Sequence, residues 1–218
     1  NEARRQWMID HLMGCSEKEF ERLIKGDARV TGTLRDWQKQ IPSFVAWQLQ
    51  REASGWRYHN AEQKVGFDLH FADLDGEHRI IRIEGRADRF DVNIQNIGQS
   101  EVIDYKNQSM TKIKKRAEHV LDDPQLLIYA RAANEDPTSA HLQGRQVDHA
   151  QWVSLKLDIK RDKKLTRSLE VEGVSELMPV FDRQITEDMQ NLWSRKEMTA
   201  FAPDGVCKYC EARGICRK

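Results

Sequence analysis

In the stretch EVIDYKNQ (101–108), Asp104 and Lys106 occupy alternate positions after a short apolar run. On a strand, alternate residues face the same side. Upstream, RIIRIEGRADRFDV places Asp88, Arg89 and Asp91 near its end, and the turn-like NIQNIGQS between the two runs allows them to pair. Two carboxylates at one sheet edge repel each other unless a cation sits between them. Hard oxygen ligands suit Mg2+ or Mn2+, which keep several waters and share a substrate phosphate. Asp88 and Asp104 are therefore candidate metal ligands for phosphodiester hydrolysis, the metal stabilising charge on phosphorus and activating water. Lys106 would orient or help deprotonate that water, or offset charge on the phosphate. Glu62, in NAEQKV at the start of the first strand, is a weaker candidate for the same edge. Taken alone, a D-x-K triplet more often marks a solvated strand face with a weak ion pair. The combined spacing is what favours a site.

The elements that must position these residues follow from periodicity. Apolar residues at helical spacing predict a helix over 1–26, interrupted at MGCS, where Ser16 could cap a second helix with Glu19 completing a capping box. A further helix is expected over 34–54, with Pro42 marking a new first turn and Gly55 ending it. From Trp56 the pattern alternates, with DLDGEH as turn chemistry, and predicts three strands in an antiparallel meander. A helix over 112–134 follows, with Leu126, Leu127, Tyr129 and Ala130 facing inward. AQWVSLKLDIKR predicts a fourth strand, with Val153, Leu155, Leu157 and Ile159 alternating against Trp152, Ser154 and Lys156. A long helix over 174–198 and a cysteine-bearing tail complete the chain. The expected fold class is α/β, a small central mixed sheet (the meander plus one further strand) flanked by helices. The expected division is an N-terminal helical segment at 1–55, a core at 56–200 and a tail at 201–218.

The 218 residues are 39% hydrophobic and 32% charged, with 35 basic and 35 acidic side chains. Net charge therefore offers no sign of a nucleic-acid partner, and any basic surface must be local. No run is long and apolar enough for a transmembrane helix, and no signal peptide is visible, so the expectation is a cytoplasmic protein without membrane contact. The start at Asn1 and the end on GICRK read as a piece of a larger protein.

GRADRFD (85–91), VIDYK (102–106) and QLLIYA (125–130), in that order, resemble the RecB-type branch of the PD-(D/E)XK nucleases. The resemblance extends to FVAWQLQREASGW upstream and CKYCEARGICR downstream, as in AddB-like nuclease domains, and covers roughly residues 40–218. It implies the PD-(D/E)XK fold, with Asp88 and Asp104 as metal-binding acids and Lys106 as the motif lysine. It further implies the peptide carbonyl of Tyr105 as a metal ligand, and Gln125 and Tyr129 as a Q-x-x-x-Y motif contacting DNA beside the active site. The family's metal-binding histidine follows a glycine in a G-x-x-x-H helix. Here only His11 lies in the first helical stretch, and it lacks that glycine.

C-x2-C-x5-C at Cys207, Cys210 and Cys216 is one ligand short of a closed zinc or iron–sulfur site. In AddB-like proteins a similar triad joins one upstream cysteine to hold an iron–sulfur cluster. Cys15 is the only internal candidate, and a buried helix cysteine is its simpler reading. The expectation is a Mg2+- or Mn2+-dependent deoxyribonuclease, exonuclease favoured over endonuclease, serving a helicase in DNA repair or recombination. The rivals are a non-catalytic DNA clamp of the same fold and a zinc-binding structural scaffold.

Overall fold

The computed structural model describes residues 2–136, 142, 144–156 and 166–194. Helix α1 (Glu2–Gly26) runs unbroken through the MGCS stretch expected to divide it. Ser16 caps nothing: its hydroxyl donates to Leu12 O at 2.6 Å and accepts from Trp37 Nε1 at 2.7 Å. A serine that bonds its i−4 carbonyl can stay within a helix, and the contact from α2 (Val30–Ala53) settles the local choice. Pro42 also lies inside α2 instead of starting a new helix, with the Ser43 hydroxyl bonding Gln40 O at 2.8 Å beside it. The two helices share a core of Ile9, Ile41 and Val45, surrounded by Leu12, Trp37 and Leu49. Full burial of a side chain such as Ile41 stabilises by about 1.5–3 kcal/mol.

Five strands form one sheet in the order β1 (Trp56–Ala72), β2 (His78–Asn93), β3 (Gln99–Lys106), β4 (Gln146–Ser154), β5 (Arg167–Glu170). β2 and β3 are antiparallel, β3 and β4 parallel, β4 and β5 antiparallel. The α/β class and the mixed sheet are thus as expected, with β5 an additional strand. A parallel pair needs a crossover, supplied here by α3 (Met110–Ala117) and α4 (Gln125–Glu135). The single helix expected over 112–134 is therefore two. Pro124 disfavours helical geometry in the residue before it and opens α4 instead, and Arg116 pairs with Asp123 across the break. Leu126, Leu127, Tyr129 and Ala130 are buried as expected. β4 does not show the expected two-faced alternation: Gln151, Trp152, Val153 and Ser154 are all buried, because strands on both sides and helices on the faces enclose it. The expected strand residues Leu157 and Ile159 lie outside the described residues, as does the end of the helix expected to 198, observed as α5 (Val174–Trp193).

The β2–β3 register sets Asp91 directly opposite Glu101. Both are buried, and facing like charges are destabilising. The last turn of α2 resolves this. Arg51 Nη2 bonds Asp91 Oδ2 at 2.8 Å and also contacts Glu101 Oε2. Arg89 Nη2 reaches the same Asp91 oxygen at 2.8 Å, and Gln151 Nε2 donates to Glu101 at 2.8 Å. The Arg51 guanidinium stacks between Trp47 and Trp56, 5.3 and 5.2 Å from their ring centroids. Burial nevertheless pushes the Glu101 carboxyl above its ordinary pKa, against the pull of Arg51 and Gln151.

By internal contacts the chain falls into two units, Asn1–Phe67 with Arg82–Phe181, and Asp68–Ile81 with Asp182–Lys218. In the second, the Asp73 carboxylate closes the β1–β2 turn by accepting from the N–H groups of Asp75 and Glu77 at 3.0 and 2.9 Å. Gly76 takes φ +83° there. Phe71 meets Trp193 edge-on, and Gln190 Nε2 donates to Ala72 O at 2.8 Å. No helix among the described residues is long and apolar enough to cross a membrane.

Arg51→Met should destabilise the chain by about 3–5 kcal/mol, because it leaves the buried Glu101 without a cation while Asp91 keeps Arg89. Adding Glu101→Gln should recover part of that loss. Urea unfolding of both variants reads the difference; equal stabilities would show that Arg51 does not neutralise Glu101.

Candidate active site

The β2–β3 ladder ends where Arg89 faces Ile103. One residue further along, where the two strands part, stand Asp88 and Asp104. Asp88 Oδ2 accepts from the Tyr105 N–H at 2.8 Å, so a side chain bridges the strands just beyond their last pair. Asp104 is 1% exposed. Lys106 Nζ lies 2.7 Å from its Oδ2, close enough for a charge-assisted contact with the ammonium. Burial raises the Asp104 pKa, Lys106 opposes the rise, and the negative charge of Asp88 adds to it.

Lys106 is itself held. Its ammonium donates to Gln125 Oε1 at 2.7 Å, and Gln125 Nε2 donates to Tyr129 Oη at 2.9 Å. Gln125 and Tyr129 are i and i+4 on α4, neighbours on one helix face. The chain of contacts ends on β2, where a Cβ on Gly85 would lie 2.6 Å from Tyr129 Cε1. Only glycine lets the ring pass so close to the strand. The glycine of GRADRFD therefore makes room for the tyrosine of QLLIYA, and through it for the glutamine that orients Lys106.

The remaining candidates are placed as follows. Tyr105 lies between Asp104 and Lys106, with its hydroxyl on the opposite face accepting from Arg89 Nη1 at 3.0 Å. Glu62 is exposed at φ +54°, and its carboxylate faces Arg86 at 3.7 Å. His11 is exposed on α1, stacked on Trp7 at 5.2 Å and 3.7 Å from Cys15 Sγ. Cys15 is exposed there as well, not buried in the helix core. No three carboxylate, imidazole or thiol side chains converge among the described residues, so neither Glu62 nor His11 joins Asp88 and Asp104. Cys207, Cys210 and Cys216 lie outside the described residues.

Two carboxylates close enough for the charge of one to raise the pKa of the other, and one of them buried, are a donor set that fits a hydrated hard cation. Mg2+ is commonly held by one or two carboxylates with water completing its shell. Arg116, on α3, also acts on the site and has no place among the residues read from the sequence. Its charge lowers the Asp104 pKa, while its Nε donates to Gln108 Oε1 at 3.1 Å. Arg89 and Arg51 were also missed, as sequence cannot say that a helix end will reach two strands.

Two outcomes follow. Gln125→Ala should lower kcat by about 10–100-fold with KM changed less, as expected when a reacting group is misplaced; a raised KM at unchanged kcat would assign Gln125 to substrate contact instead. Metal binding should fail on the acid side at a higher pH than an ordinary aspartate near 3.9 dictates, because Asp104 keeps its proton longer. Lys106→Met removes the opposing cation and should move that midpoint higher still. Mn2+ titrations across pH test this, and a midpoint that stays put in the variant would show that Lys106 does not govern Asp104.

A family model described as the PD-(D/E)XK nuclease superfamily matches residues 3–217. No individual curated protein shows significant sequence similarity to the chain. Matched over nearly its whole length, and with the acids, the lysine and the glutamine–tyrosine pair gathered at one strand divergence, the chain belongs to the PD-(D/E)XK nuclease superfamily.

Proposed function

We propose that this domain is a metal-dependent deoxyribonuclease of the RecB/AddB type, cutting DNA as an exonuclease for a helicase partner in cytoplasmic repair or recombination. The observation that carries the reading is the run of contacts from Asp104 through Lys106 and Gln125 to Tyr129, set beside Asp88. Asp88 and Asp104 hold the cation. When bound, Mg2+ or Mn2+ supplies Lewis-acid stabilisation of charge on the phosphoryl oxygens. Lys106, fixed between a carboxylate and an amide oxygen, keeps one ammonium charge at the place where the phosphate and attacking water meet. Arg116, together with the lysines of α3, offers charge to the DNA backbone, which positions a strand without reading its sequence.

A noncatalytic clamp would gain nothing from a buried acid paired with a lysine, because phosphate repels carboxylates. The Tyr105 carbonyl is assigned here as a further ligand. Cys207, Cys210 and Cys216 are assigned to an iron–sulfur cluster, with Cys15 the one other cysteine of the sequence and exposed on α1.

The test is cleavage of end-labelled single- and double-stranded DNA with Mg2+ or Mn2+. Lys106→Ala should lose about 10²-fold or more, the range for removing one group preorganised toward the charge of the transition state, and Asp104→Ala should lose at least as much. Mononucleotide products would support the exonuclease. Cleavage surviving both substitutions would refute the site, and DNA binding without cleavage by the unaltered chain would favour the clamp.

A further inference from the structure

On the β1–β2 hairpin, His70 Nδ1 and His78 Nε2 lie 3.4 Å apart, with ring centroids 5.3 Å apart. Both side chains are exposed. Two Zn–N bonds of about 2.0–2.1 Å meeting at a tetrahedral angle span about 3.4 Å between their nitrogens. We propose that His70 and His78 form a cross-strand clip for a zinc-like divalent cation, separate in chemistry from the carboxylate site. Imidazole selects Zn2+, Cu2+ or Ni2+, whereas paired carboxylates favour Mg2+ or Mn2+.

The hairpin fixes the backbone that carries the two rings, and the rings already lie against each other. Its turn is closed by the Asp73 N–H to Glu77 O bond at 2.9 Å and by the Asp73 carboxylate, which also accepts from Arg79 Nε at 2.8 Å. Because the backbone is set in advance, only side-chain rotation remains to be lost on binding. In the metal-free chain the facing nitrogens share one hydrogen. A cation needs both bare, so the ring that carries the hydrogen shifts to its other tautomer, with no net proton released from neutral imidazole. No third histidine, cysteine or carboxylate converges on the pair among the described residues. The remaining coordination positions fall to water or to a group brought from outside.

Site-resolved modification tests this without relying on enzyme activity or on total metal content. The chain is treated with diethyl pyrocarbonate across a Zn2+ titration, and modification of each histidine is read by mass spectrometry. His70 and His78 should become protected together over one zinc range, with His59 unaffected and Mg2+ ineffective. In His78→Ala, protection of His70 should need at least about tenfold more zinc, a loss that even outer-shell changes can produce. His70→Ala should do the same to His78. Protection of either histidine that is indifferent to loss of the other would overturn the clip, as would no protection by zinc at all.

Discussion

Asp91 and Glu101 face each other in the middle of the sheet, and Arg51 arrives from a helix to hold them there. Removing charges from water is expensive, so this group is weak evidence of stability in itself. Its consequence is register. A one-residue slip between β2 and β3 would turn every side chain of one strand to the other face. Asp104 and Lys106 would then point toward α2, and Glu101 would leave its cations. The ladder that ends at Arg89 and Ile103, and so sets where the strands part, is held by charges just inside it.

From that divergence the site is built by two further constraints. The parallel β3–β4 pair requires a crossover, and the crossover brings α4 back over the strand that carries Lys106. Gly85 then sets how closely the Tyr129 ring approaches β2. The candidate site residues thus rest on strands and on the first turns of a helix, where backbone bonds limit their drift. Trp47, Ile103 and Val153 fill the other face of the same strands. The sheet is therefore packed behind the carboxylates as well as in front of them.

The strand residues were legible because a period of two is local: it put Asp104 with Lys106 whatever packed above them. Gln125 and Tyr129 stood out only through the resemblance to a Q-x-x-x-Y motif; by their own types and spacing they read as ordinary helix residues. What they touch was not legible, since Gln125 meets Lys106 only after the chain crosses the sheet. Ser16 and Pro42 misled for a related reason. Each is a correct local signal overruled by tertiary contact, Ser16 by Trp37 and Pro42 by a helix already packed on α1. β5 has only four residues and too little alternation to announce itself without its partner β4. Glu62 and His11 were placed by order along the chain, and chain order does not say where an exposed side chain will turn.

The unequal lengths of the strands have another effect. β1 and β2 run for 17 and 16 residues, but β3 for only 8, and it pairs with β2 from Arg89 onward. The hairpin therefore overhangs its neighbour, and an overhanging strand presents main-chain groups on which another chain could add. Arg82, Glu84 and Arg86 stand along that stretch, while Glu62 kinks the outer strand with a positive φ. Charges and kinks of this kind discourage edge-to-edge association. The segment leading to Asp88 is thereby a poor template for aggregation.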